Sequence, residues 1–123
     1  MSRKATAARL QEQGFTFTYQ VIPADPGQPI STGETLIPES ATDPDGYFEE
    51  AAEKHLDDGR AQRIEYVEDG FIKGMYVDDL AQIKDLPRNE RATALFRAHY
   101  LAANRFINPE SLPFIAGPAV LFD

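Results

Sequence analysis

The side chains best suited to acid–base chemistry or metal binding in this chain are its two histidines, His55 and His99. Asp57 and Asp58 follow His55 closely, and a histidine near carboxylates can act as a general base or bind a metal. Two histidines without a cysteine nevertheless fall short of a typical zinc site, and the chain has no His-Glu-x-x-His motif. We therefore expect each histidine to be hydrogen-bonded in the core or at its rim. A small enzyme or ligand-binding site at either histidine is the alternative.

A second candidate for chemistry is the tetrapeptide Tyr76-Val77-Asp78-Asp79. These four residues match the metal-binding motif of reverse-transcriptase palms, and the resemblance is limited to them. Two-metal catalysis there needs another carboxylate on a neighbouring strand, and a palm is much larger than 123 residues. Because the pair leads from a strand-like segment into a helical turn over 80–84, we interpret Asp78 and Asp79 as capping residues. No metal ion or cofactor is expected.

Composition favours one domain that binds something other than nucleic acid. The chain has 123 residues, 42% of them hydrophobic, and thirteen aromatic side chains, which is enough to form a hydrophobic core. A formal charge of −8 argues against a binder of the phosphate backbone, which needs clustered Lys and Arg. A basic partner, or good solubility, fits this charge better.

The acidic residues are concentrated in the middle of the chain. Residues 14–59 carry ten acidic groups and one basic group, for a charge of −9. Such segregation can steer a basic partner to one side of a domain. We expect a docking surface within 34–58 that uses the following carboxylates: Glu49, Glu50, Glu53, Asp57 and Asp58.

No stretch of this sequence has the features of a membrane segment. The first thirteen residues lack the apolar core of a signal peptide, and they predict a short helix over 3–13. The most apolar run, 114–122, is far shorter than the roughly 20 residues that span a bilayer. Since cysteine is also absent, we expect a cytoplasmic protein, or a part of a particle assembled in the cytoplasm.

Hydrophobic periodicity predicts an α+β domain. The longest helical period covers 88–106, and a second amphipathic helix is expected over 44–58, after Asp43-Pro44. Alternation with period two predicts a strand over 14–22, and further strands are expected over 61–68 and 71–77. These elements predict an antiparallel sheet of about four strands, with both main helices packed on one face.

The strands over 61–68 and 71–77 are expected to form a tight hairpin. Asp69-Gly70 joins them, and this pair is favoured in two-residue turns. The resulting register would place Ile64 opposite Met75 and Val67 opposite Ile72. Both faces of the hairpin then carry apolar groups, so it is expected to be covered on both sides.

Two segments fall outside these elements. Residues 23–42 form a proline-rich arm or loop, in which Pro26, Pro29 and Ile30 are candidate contacts for a neighbour. Residues 107–123 are an extended tail whose apolar side chains must be buried, either on the domain's own sheet or in another molecule. The tail residues concerned are Phe114, Ile115, Val120, Leu121 and Phe122.

These patterns favour a non-catalytic protein–protein interaction or assembly module, such as a small subunit of a multi-protein particle. It would contact identical subunits or another protein through the arm and the tail. An acidic inhibitor that docks on a basic, nucleic-acid-binding partner is a second hypothesis, and its binding would weaken with salt. The third hypothesis is the enzyme or ligand binder that uses His55 or His99.

Overall fold

In the computed structural model, residues 14–56, 60–104 and 106–122 are described. They form a five-stranded antiparallel sheet with two α-helices, which confirms the α+β class and gives five strands where about four were expected. The strand order across the sheet is β2-β1-β5-β4-β3. The elements are β1 (Gly14–Ile22), β2 (Ser31–Pro38), α1 (Pro44–Glu53), β3 (Ala61–Glu68), β4 (Phe71–Asp78), α2 (Glu90–Ala103), a 3-10 turn (Pro109–Ser111) and β5 (Ala119–Phe122). The helix predicted over 3–13 lies outside the described residues.

The hairpin between β3 and β4 has the predicted register. Ile64 pairs with Met75 and Val67 with Ile72. Asp69 and Gly70 both have positive φ, 53° and 81°, which is the geometry of a type I′ turn that matches the twist of the strands. Local turn chemistry therefore sets the register of this half of the sheet.

The two helices lie on opposite faces of the sheet, so the prediction that they share one face was wrong. Helix α1 and the turn after it cover one face, here called the α1 face, where Ala52 and Leu56 pack on Tyr19, Val21, Tyr76 and Val120. Helix α2 covers the other, the α2 face, where Ala92 and Phe96 pack on Ile22, Met75, Val77, Ala119 and Leu121. Successive residues of a strand point to opposite faces of the sheet, so the consecutive apolar residues of β4 and β5 are buried only if both faces are covered.

The segment predicted as an extended tail contains the central strand of the sheet. β5 pairs with β1 on one side and with β4 on the other, and Val120 lies opposite both Val21 and Tyr76. Its four residues are short for a strand, but Ala119 and Val120 are completely buried. The tail therefore docks on the chain's own sheet.

Element boundaries also differ from the sequence prediction. β2 occupies eight residues of the predicted 23–42 arm, which leaves a loop over 23–30 between β1 and β2. Helix α2 ends at Ala103, before the predicted end of its apolar face, and Phe106 beyond it is 86% exposed. Helix α1 ends at Glu53, and residues 57–59 lie outside the described part of the chain.

Candidate protein-binding surface

A polar stripe on α2 holds the segment that leads into β5. Asn89, Thr93 and Arg97 are spaced by four residues, so they lie on one side of the helix. The Thr93 hydroxyl accepts a hydrogen bond from the N–H of Ile115 at 2.9 Å. Arg97 donates from Nε to the carbonyl of Pro113 at 3.0 Å and from Nη2 to that of Leu112 at 2.9 Å.

Asn89 is the buried centre of this stripe. Its side-chain oxygen caps α2 by accepting from the N–H of Ala92 at 3.0 Å. Its amide nitrogen donates to the carbonyls of Ile22 and Gly117, each at 2.9 Å. One side chain thus joins the helix, the end of β1 and the approach to β5. The spacing of Asn89, Thr93 and Arg97 is visible in the sequence, but nothing there shows which backbone they bind.

The 23–30 loop is also attached to α2. Arg91 donates from Nη2 to the carbonyl of Pro23 at 2.9 Å and to that of Asp25 at 3.0 Å. Asp25 accepts from the N–H groups of Gly27 and Gln28, which closes a turn. The predicted contact residues Pro26, Pro29 and Ile30 are exposed on this loop, but the loop is too short and too firmly held to act as a long arm.

The predicted contact residues of the tail are mostly internal. Ile115, Val120 and Leu121 are buried in the chain itself, and Phe122 is partly buried. Phe114 remains 39% exposed. The expected contact with a neighbour is therefore corrected for Ile115, Val120 and Leu121, which lie inside the chain's own fold, whereas for Phe114 it stays a prediction.

The predicted acidic surface is partly present. Glu49, Glu50 and Glu53 are exposed on α1. Asp57 and Asp58 lie outside the described residues. The three glutamates make no ion pair within the described part of the chain, and Glu53 accepts a hydrogen bond from the N–H of Ala61 at 3.4 Å.

The histidines have structural surroundings. His55 is half-buried, and its Nε2 lies 3.0 Å from the Tyr19 hydroxyl. His99 is exposed in a groove of about 450 Å³ between α2 and the β3–β4 turn. Neither is hydrogen-bonded to a carboxylate among the described residues, so the two do not form a common site. Asp78 is also structural, because it accepts from the N–H of Leu80 and from Lys84 Nζ, as a capping residue would.

Large exposed apolar side chains lie at two opposite ends of the sheet. Phe15, Phe71 and Ile72, which are 61%, 69% and 69% exposed, lie where β1 and β4 begin; we call this the open end. Ile83 is 82% exposed and borders the same cavity as Phe114, beside the loop after β4; we call this the loop end. Sequence periodicity missed both groups because it identifies buried faces rather than exposed ends.

Among the described residues, β5 lies along only part of β1 and β4. β5 pairs with β1 only over residues 19–22 and with β4 only over residues 75–77. No described residue pairs with the remaining residues of β1 and β4 on the side that faces β5. Because Phe122 lies level with Tyr19 and Gly74, residues 14–18 of β1 and 71–73 of β4 have no described residue between them, and we call this space the slot. Asp123, which follows Phe122, lies outside the described residues.

Aromatic residues form the wall of this slot on the α1 face. The ring of Phe48 lies 5.0 Å from that of Phe17 and 4.7 Å from that of Phe122, both edge to face. The pairing registers place Phe17 level with Ile72, across the slot. A cavity of about 390 Å³ opens here between α1 and the sheet.

Charged groups border the same cavity. Arg63 lies across Gly74, where a Cβ atom would come within 2.6 Å of its Nε, and it also reaches the Tyr76 hydroxyl. Burial raises the pKa of Tyr76; Arg63 opposes this rise, whereas Asp45 and Glu49 add to it. The cavity therefore has an apolar floor and a rim that carries both signs of charge.

Comparison with protein-family models, curated proteins and solved structures found no match for this chain. Within the described ranges, no three His, Asp or Glu side chains converge where a metal ion could bind. None of the helices in that part of the chain is both long and apolar enough to cross a bilayer.

Proposed function

We propose that this protein is a non-catalytic assembly subunit whose copies associate end to end, with the loop end of one copy on the open end of the next. The observation that carries the proposal is the placement of Phe15, Phe71 and Ile72 at one end of the sheet and of Ile83 and Phe114 at the other. Exposed apolar patches of this kind mark contact surfaces.

The two patches differ in residues and in shape. A two-fold dimer uses the same patch on both partners, whereas two different patches at opposite ends produce a head-to-tail contact. Full burial of one large apolar side chain stabilises a contact by about 1.5–3 kcal/mol before the cost of association. Several such side chains at each end can therefore support a chain of subunits.

Light scattering on a sizing column tests this proposal over a range of protein concentrations. We expect the mean mass of the full chain to rise above 13.7 kDa as its concentration increases. Ile72→Glu at the open end and Ile83→Glu at the loop end should each stop this growth, because each buries a charge in the contact. Thr32→Glu, on the exposed polar part of β2, is the control and should assemble like the original chain.

Mixing the two variants separates a head-to-tail contact from a symmetric one. Each variant retains one intact end, so an equal mixture should give a species of twice the monomer mass and nothing larger. Monomers at every concentration of the original chain would contradict the proposal. A rise in the mean mass of either variant alone would show that the copies do not associate through these ends.

The exposed glutamates of α1 favour a second candidate function, docking on a basic partner such as a nucleic-acid-binding protein. Glu49 and Glu50 lie side by side without an ion pair among the described residues. This contact would weaken steeply with added salt, whereas the apolar end-to-end contact would not. The salt dependence of any complex therefore decides between the two.

A further inference from the structure

We propose that two copies of this chain also associate side by side, through antiparallel pairing of the outer edge of β3 with the same edge of a second copy. This contact goes beyond the proposed end-to-end association, because it uses a side of the sheet rather than its ends. It would have two-fold symmetry, so that both copies contribute the same residues.

β3 is an outer strand that lacks the proline, glycine and bulges that often protect an edge. Its eight residues pair with β4 in one continuous register. Among the described residues, no strand pairs with its other side, and such an edge is a template for another strand. The opposite edge strand, β2, contains Gly33 and ends at Pro38, and it has no basic residue to pair with Glu34 of another copy.

The hydrogen bonds of β3 show which of its residues direct their backbone outward. The N–H of Asp79 donates to the carbonyl of Arg60 at 3.0 Å, so the even-numbered residues of β3 direct N–H and C=O to β4. The odd-numbered residues therefore direct theirs to the outer side, where the N–H of Ala61 is accepted by Glu53 at 3.4 Å. Beyond Ala61, this row of backbone groups has no strand beside it among the described residues.

Charge selects one register for the contact. Pairing centred on Ile64 places Arg63 opposite Glu65 of the second copy and Glu65 opposite Arg63 of the second copy. Both residues direct their backbone outward, so these pairs can exchange both hydrogen bonds. Centring the pairing on Arg63 or on Glu65 instead would place each of these residues opposite itself, and like charges directly opposite are unfavourable.

The side chains of Arg63 and Glu65 are placed for this exchange. Both lie on the α1 face, since Arg63 is level with Tyr76. Within one copy they form an ion pair of 3.1 Å, with side chains 45% and 63% exposed. Two copies would join two such pairs into a group of alternating charges with no net charge. Lys73, the other cation of this hairpin, is paired with Glu68 at 2.8 Å.

Ile64 would lie on the two-fold axis. Its backbone points to β4, so it would face Ile64 of the second copy in a non-hydrogen-bonded pair, where Cα atoms are about 4.5 Å apart. Its side chain is half-buried on the α2 face, level with Met75. An apolar groove of about 450 Å³ adjoins the same strand at Val67 and is lined by Leu95 and Ala98 of α2. The contact would therefore join apolar as well as charged groups.

A contact through one strand edge is weak between free copies. It is smaller than a standard interface of about 1,200–2,000 Å², so we expect a Kd on the order of 1 mM. Dilute solutions used for light scattering would therefore not show it. It would act between copies that are already held close together, at effective concentrations in the range of about 1 mM.

Of the residues outside the described part of the chain, only 1–13 form a segment long enough to cover this edge. They precede β1, and three strand spacings, about 14 Å, separate β1 from β3. Only Thr6 among them belongs to the β-branched and aromatic types that favour strands. The test below includes a chain that lacks residues 1–13, so that this occupant gives its own result.

Disulfide trapping tests the contact, because the chain has no cysteine of its own. Ile64→Cys would place the two thiols at the two-fold axis, within the Cα separation of a disulfide, about 4.4–6.8 Å. Gln62→Cys is the matched control, since Gln62 is exposed on the same face of β3 but would lie roughly 13 Å from Gln62 of the second copy.

Oxidised glutathione is the oxidant, and dimers are measured on non-reducing gels. Each dimerisation rate is divided by the rate at which the same thiol reacts with iodoacetamide, which corrects for exposure. We expect the corrected rate of the Ile64→Cys chain to be at least about tenfold higher, because the control thiols lie beyond the reach of a disulfide.

Charge reversal tests the register. In the Ile64→Cys chain, Glu65→Arg should slow cross-linking, because it places two cations opposite each other, and Arg63→Glu should slow it by placing two anions there. An equal mixture of these two variants should cross-link at the original rate, since opposite charges then face each other again. This recovery also shows that both variants are folded.

Three results would overturn the proposal. These are equal corrected rates for the two cysteine variants, rates that charge reversal leaves unchanged, and cross-linking that appears only after residues 1–13 are removed. The last result would show that the chain's own first residues cover the edge. Successive copies in an end-to-end row are displaced by about the length of a strand, roughly 25 Å, so that contact cannot produce this cross-link and the two proposals fail separately.

Discussion

At the scale of single residues, the arrangement of the sheet depends strongly on Asn89. Asn89→Ala removes the cap of α2 and leaves two buried carbonyls without their donor. We expect the free energy of unfolding to fall by about 3 kcal/mol. Loss of the cap costs about 1 kcal/mol, and each buried carbonyl left without a hydrogen-bond donor costs at least about 1 kcal/mol. Urea unfolding followed by circular dichroism measures this difference.

Asn108 provides a matched control, because it also caps a helical turn but is exposed. Among the described residues, its side chain accepts from the N–H of Glu110 alone, at 3.0 Å. Asn108→Ala should cost about 1 kcal/mol or less. Equal losses in the two variants would show that the contacts of Asn89 with Ile22 and Gly117 contribute nothing.

The phenol of Tyr76 makes stability depend on pH in the alkaline range. Burial raises its pKa in the folded state above the ordinary value of 10.0. Above about pH 10 the unfolded chain therefore loses this proton while the folded chain retains it, so the free energy of unfolding falls as pH rises. Tyr76→Phe should make this decline shallower, as measured by urea unfolding at several values between pH 9 and 11.

The other tyrosines titrate in the same range, so Tyr47→Phe is the control for this experiment. Tyr47 is exposed, and its replacement should leave the alkaline decline as it is in the original chain. A decline that is equally steep with and without the Tyr76 phenol would exclude Tyr76 as its source.

At the scale of elements, the part of the fold that could be predicted is the part encoded locally. The Asp69-Gly70 turn and the alternation on either side of it were sufficient for the register of β3 and β4. The placement of α1 and α2 on opposite faces could not be predicted, because β5, whose alternate residues pack on the two helices, has four residues, too few for a clear period.

The same contrast applies to the candidate binding residues. The arm and the tail were expected to contact neighbours because proline and apolar residues there formed no obvious element. In the structure, Arg91 and Arg97 on α2 donate to backbone carbonyls of these two segments and hold them on the domain. Such contacts join positions far apart in the chain, and no local pattern reveals them.

Truncation after Pro113 tests the role of the last strand. The shortened chain loses Ile115, Val120 and Leu121 from the core, and each side chain is worth about 1.5–3 kcal/mol. Their sum is comparable with the whole stability of a small domain, about 5–15 kcal/mol. We expect the truncated chain to show no cooperative thermal transition by circular dichroism.

Phe114→Ala is the matched control, because Phe114 lies in the same segment but is partly exposed. This variant should retain a cooperative transition with a modestly lower midpoint. A truncated chain that unfolds cooperatively near the original midpoint would show that β5 is dispensable, which would contradict its central position in the sheet.

At the scale of the whole molecule, the acidic charge and the exposed apolar groups lie in different places. The glutamates of α1 project outward over one face of the sheet, whereas the apolar side chains lie at its two ends. Net charge of one sign keeps copies apart at long range, so association depends on contacts that exclude water at the ends. Added salt should therefore favour assembly by screening this repulsion.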